Sequence, residues 1–147
     1  MNGWTRPIRW AEEHGDVLFD LVRIYLGVGL FLKAIYFLTH RDYILRLIDE
    51  SGHYWFVPAM VAHFVILAHL AGGLSLAAGL VTRAGAAIQI PVLVGAVFQV
   101  HLPRLASIEA RQNVEFSALV LFLLVLIFLR GGGALSLDAK MERRAPA

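Results

Sequence analysis

VLFDLVRIYLGVGLFLKAIYFL, residues 17–38, decides the class of this chain. Only Asp20, Arg23 and Lys33 interrupt an otherwise apolar run. Wound as a helix at 1.5 Å per residue, it reaches about 33 Å, enough to cross ~30 Å of hydrocarbon. The residues do not alternate with the period of two that marks a half-buried strand. A few unclosed strands would also leave unpaired edges in lipid. The stretch therefore predicts a spanning helix.

Three further stretches of similar character follow, at residues 57–80, 84–102 and 113–129. They account for a hydrophobic fraction of 59 % and a charged fraction of 16 % in 147 residues. A water-soluble domain of this size has too much surface to hide so much apolar material. The expected fold is an all-α membrane protein, an antiparallel bundle of four transmembrane helices forming a single integral membrane domain over residues 1–147. A polar arm, residues 1–16, precedes the first span. That span is longer than the apolar part of a secretory signal and no small-residue cleavage pattern follows it, so it is expected to remain as a helix.

Several function classes fall away. The chain has no cysteine, which excludes disulfides, thiolate metal sites and cysteine nucleophiles. A net charge of +2 gives no ground for a nucleic-acid partner. No phosphate-binding loop, paired-histidine metalloprotease helix or nucleophile elbow occurs.

Charge sets the expected orientation. With the first residues inside, the inner side carries Arg6, Arg9, Arg83, Arg130, Lys140, Arg143 and Arg144, and the outer loops carry Arg41, Arg46, Arg104 and Arg111. The positive-inside rule then puts both termini in the cytoplasm. Residues 81–83 are too few for anything but an antiparallel hairpin. Pro103 is expected to end the third helix, and Ser107 to cap the fourth. The connection 39–56 reads as an amphipathic outer loop. Tyr43, Ile44, Leu47 and Ile48 fall on one helical face, opposite Arg41, Asp42, Arg46, Asp49 and Glu50. Tyr54, Trp55 and Phe56 follow where aromatic anchors meet the membrane boundary. Ala68 and Gly72 make a small-xxx-small step suited to close helix contact. Pro91 removes an amide from the third span and frees the Ala87 carbonyl, predicting a kink.

Polar residues within the spans are the best functional clue, because each costs about 2.5–3.5 kcal/mol to insert and so faces an interior or a wet cavity. Lys33, His63, Gln99, His101 and Glu115 all fall within about 10 Å of the outer boundary at 1.5 Å per residue. His69 lies deeper. Lys33, His63, His69, Gln99 and Glu115 are therefore the candidate binding residues, converging on one pocket with His69 at its floor. Structural readings stand beside this one. Lys33 can snorkel along its aliphatic stem, Glu115 can favour a helix N-terminus, and a span histidine can simply hydrogen-bond a neighbouring helix. Arg23 follows Asp20 by three residues on one helix face, predicting a structural ion pair. His63, His69 and His101 are the candidate metal or haem ligands. His63 and His69 stand about 120° apart around the helix axis, which is not a two-ligand face.

Three strings carry a family resemblance: LVRIYLGVGLFLKAI at 21–35, AHLAGGLSLAAGLVTRAGA at 68–86 and RGGGALSLD at 130–138. In this order and spacing, from Asp20 to Asp138, the chain resembles the DoxX family of small four-helix bacterial membrane proteins. The matching elements are Arg23, Gly27 and Lys33, then Gly72, Gly73, Gly79 and Thr82-Arg83, then the 131–138 run. His69 stands where many members carry a carboxylate, so a mechanism relying on an acid there is not transferable. The resemblance implies a bacterial cytoplasmic membrane protein associated with respiratory or thiol-related redox chemistry, the family name deriving from a subunit linked to thiosulfate oxidation by quinone. Three functions remain compatible with the residues. One is a quinone-interacting subunit of a membrane redox complex, with a partner subunit carrying the electron-transfer centre. The second is a non-enzymatic scaffold or assembly factor. The third is a haem- or transition-metal-binding bundle.

Overall fold

The computed structural model describes residues 14–49, 58–104 and 108–143. The expectations placed on the polar arm before residue 14, on Tyr54, Trp55 and Phe56, and on Ser107 lie outside them. The chain forms α1 (Gly15–Thr39) and α2 (Arg41–Asp49). The second span comprises α3 (Pro58–Leu67), a π turn (Ala68–Gly72) and α4 (Gly73–Ala78). The third comprises α5 (Thr82–Gly95), a π turn (Ala96–His101) and a 3-10 turn (Leu102–Arg104). α6 (Ile108–Arg130) and α7 (Leu137–Glu142) complete the order, and no strand occurs among the described residues. Four of these helical stretches, Gly15–Thr39, Met60–Ala78, Thr82–His101 and Arg111–Arg130, are long and apolar enough to cross a membrane. The helix of the fourth span begins before the apolar run does. Hydropathy marks where a helix enters hydrocarbon, not where its hydrogen bonds start.

Local chemistry explains the breaks. Gly79 adopts φ 68° and closes α4. The Leu80 amide donates to the Ser75 carbonyl at 3.1 Å and the Gly79 amide to Leu76 at 3.3 Å, the paired bonds of a Schellman stop. Val81 then sits at φ 49°, a left-handed conformation costly for a β-branched residue. Its amide donates to the Asp138 carboxylate at 2.7 Å, which helps hold it there. α2 carries the amphipathic sequence of the outer loop. Its Ile44 is buried with Phe37, Ala62 and Ile66, joining α2 to the first two spans.

A second, larger cluster draws on all four spans. Leu26 and Leu30 of α1, Leu76 of α4, Ala86 and Leu93 of α5, and Val120, Leu124 and Ile127 of α6 form a single buried cluster. Lipid is as apolar as these side chains, so close packing rather than the hydrophobic effect holds them. α1 crosses α4 tightly at two glycines. A Cβ on Gly27 would lie 2.3 Å from the Ala77 amide nitrogen, and one on Gly73 would lie 2.6 Å from that of Phe31. α5 packs on α6, and both α1 and α5 pack on the first π turn. Leu32, Phe64, Leu74, Phe98, Phe122 and Leu129 stay exposed, as a lipid-facing surface requires. The bundle has a terminal end, where α1 begins and α6 finishes, and a loop end.

Candidate functional site

At the loop end the polar residues are divided between two helix pairs. Phe37, on α1, is the centre of the first group. The Lys33 ammonium lies 5.1 Å from its ring centroid, 5.4 Å from that of Tyr36 and 5.9 Å from that of Tyr43. These distances are within cation–π range. The His69 ring meets Phe37 edge-on at 5.6 Å and 74°. Tyr36 also stacks on His40 at 4.3 Å. A cleft of about 370 Å³ opens beside these rings, lined by His40, Asp42, Tyr43 and Arg46 among others.

His69 is buried in the π turn. Its Nδ1 lies 2.9 Å from the Val65 carbonyl. A carbonyl oxygen only accepts, so Nδ1 carries the hydrogen and Nε2 is the basic nitrogen of the neutral ring. This tautomer presents a proton acceptor to whatever approaches the ring.

The remaining candidates are placed differently. His63 is exposed on α3, and Gln99 and His101 are half-buried in the second π turn. That turn packs against α5 and α6. Glu115 is exposed on α6 and has no hydrogen-bonding or ionic partner among the described residues. The structure thus joins Lys33 to His69 through Phe37, while Glu115 stands on another helix pair. Among the described residues, no three His, Cys, Asp or Glu side chains gather as a metal ion would require.

A second polar assembly lies at the terminal end. Asp20 and Arg23 are fully buried, with the Arg23 Nη2 3.0 Å from the Asp20 Oδ1. Arg23 also donates to the backbone carbonyls of Leu76 and Ala77, tying α1 to the end of α4. The other Asp20 oxygen accepts from the Leu135 amide at 2.8 Å. The last segment folds back through this contact. Asp138 then accepts from the Thr82 amide at 2.9 Å and the Thr82 hydroxyl at 2.8 Å, besides Val81. It therefore caps the first turn of α5 from a remote part of the chain. Burial alone would raise the Asp138 pKa. Hydrogen bonds from Thr82 and Val81, with the Arg23 charge, hold it below the usual carboxylate value.

Sequence reasoning missed three features. Asp138 was only part of a string, although Ser136 ahead of a short helix is an N-cap signal: its Oγ accepts from the Ala139 amide at 3.1 Å. Gln89 is fully buried and donates to the Ala68 carbonyl at 3.0 Å, while its Oε1 finds no partner among the described residues. Gly72 makes room for it, since a Cβ there would meet the Gln89 Cγ at 3.0 Å. The two π turns carry no signal in residue type that periodicity detects.

A family model, DoxX, matches residues 18–102, more than half of the chain. No curated protein and no solved structure matches it.

Proposed function

The chain belongs to the DoxX family, and on that premise we propose that it is a quinone-interacting subunit of a membrane redox complex. The observation that carries this reading is the Phe37-centred group, which sets an ammonium and a buried imidazole against one aromatic ring. The residues fit a quinone head group. Phe37, Tyr36 and Tyr43 offer aromatic faces, Lys33 can donate to a carbonyl oxygen, and the His69 Nε2 can take or return a proton. A quinone supplies paired electron and proton transfer when bound. In this reading a partner subunit carries the electron-transfer centre. His63, Gln99 and Glu115 supply further proton-exchanging or hydrogen-bonding groups at the same end of the bundle.

Quinone retention and binding test the reading. Purified protein should retain a quinone detectable by mass spectrometry of the extracted lipid, and should bind an added short-tailed quinone. His69→Phe or Lys33→Met should weaken that binding about tenfold, equal to about 1.4 kcal/mol and typical of one lost hydrogen bond in a dry site. Wild-type protein that neither retains nor binds quinone leaves the scaffold reading. That reading draws its support from the terminal-end network, whose polar groups are satisfied by the chain itself.

The terminal end belongs on the cytoplasmic side of the bacterial inner membrane, as the Lys/Arg distribution favours. Asp42→Cys in intact cells should react with an impermeant maleimide, and Glu142→Cys only after permeabilisation. The reverse pattern would invert the orientation, and equal labelling would overturn the four-span topology.

A further inference from the structure

A cleft of about 540 Å³ opens at the terminal end, between the turn that starts α5 and the glycine run that follows α6. Arg83 and Arg130 line it. Arg83 has no hydrogen-bonding or ionic partner among the described residues. Its guanidinium lies against the glycine run: a Cβ on Gly131, itself at φ 91°, would sit 3.3 Å from the Arg83 Nε. Arg130 bonds Asp16 in an exposed pair and covers the Phe19 ring at 4.6 Å. Its position is therefore held while much of its surface stays open.

The glycine run adds neutral donors. The amides of Gly132 and Gly133 donate to no acceptor among the described residues. Asp138 also borders the cleft, but its carboxylate is already engaged by Val81 and Thr82. Glu142 is the remaining carboxylate on the lining. Two guanidiniums lining one cleft beside a glycine run supply the charged donors that phosphate oxygens recognise. The cleft also adjoins lipid-facing surface, because Val81 and Leu129 are 60 % and 66 % exposed. An acyl chain can lie on those side chains while its head group reaches the arginines.

We propose that this cleft binds a phosphate-bearing anion through Arg83 and Arg130, with an anionic phospholipid as its occupant. Basic pockets between spanning helices at the membrane boundary suit such head groups.

Native mass spectrometry of the full chain in detergent tests this with phosphatidylglycerol, phosphatidylcholine and inorganic phosphate as probes. Wild-type protein should hold about fivefold more phosphatidylglycerol than phosphatidylcholine, on the scale expected for one cation near an anionic head group. Arg83→Gln should remove most of that excess and leave phosphatidylcholine adducts and the unfolding temperature unchanged. Displacement of phosphatidylglycerol by inorganic phosphate, itself lost in Arg83→Gln, supports the site and assigns free phosphate as an occupant. Equal retention of the two lipids by wild-type protein overturns the proposal. Full retention of phosphatidylglycerol by Arg83→Gln does so too, and Arg83→Lys, keeping the charge, checks any variant that fails to fold.

Discussion

Arg23→Met should destabilise the bundle by about 3–5 kcal/mol, the range found when one member of a buried ion pair is removed. Arg23 is 1 % exposed and Asp20 is 0 % exposed, so the substitution strands a carboxylate away from water. It also takes a donor from the carbonyls of Leu76 and Ala77. Asp20→Asn combined with Arg23→Met should lose less than the two single losses added together, because no uncompensated charge remains. Thermal unfolding of the purified variants in one detergent measures the cycle. Strictly additive losses would show that the pair acts as two independent side chains. Arg130 and Asp16 at the same end provide the contrast. Their side chains are 50 % and 68 % exposed, and such pairs contribute about 0–1 kcal/mol. Burial, not the presence of opposite charges, separates the two.

Gly27→Ala and Gly73→Ala should each cost about 1–3 kcal/mol, the usual penalty for overpacking. Each added methyl meets backbone of the facing helix, 2.3 Å away for Gly27 and 2.6 Å for Gly73. Backbone cannot rotate aside as a side-chain tip can, so α1 and α4 must separate and the core loosens with them. Gly29 is the control, two residues from Gly27 on the same helix. A Cβ there meets nothing within 4 Å. Gly29→Ala should therefore be neutral or stabilising by up to about 1 kcal/mol, since alanine favours the helix. Equal unfolding temperatures for Gly27→Ala and Gly29→Ala would refute the close crossing.

Periodicity and length made the four spans legible, because a membrane-crossing helix must be apolar along its whole length whatever it packs against. The amphipathic helix α2 was legible for a similar reason: Ile44 and its polar neighbours separate onto two faces. Asp20 and Arg23 share a helix face by spacing alone. The carbonyls of Leu76 and Ala77 that Arg23 reaches are more than fifty residues away, and no local pattern contains them. The same holds for Asp138, which caps α5 from the far end of the chain. Depth counting put Lys33, His63, His69, Gln99 and Glu115 in comparable layers, but depth is one coordinate of three. The rotation of each helix decides which side chains meet, and Phe37 is what joins Lys33 to His69.

The sequence by itself determined the class of this protein, the number and approximate bounds of its spans, the position of its tight turn and its family resemblance. These follow from lipid solubility and backbone hydrogen bonding, which act on each segment separately. Only the tertiary structure decided that Gly27 and Gly73 lie against the backbone of the facing helix, that Asp138 is a cap, and that Arg83 and Arg130 share a cleft. It also decided that π turns reset the helical register around His69 and His101. Each of these depends on the rotation and separation of helices, which are set by the packing of all four together and appear in no single stretch of sequence.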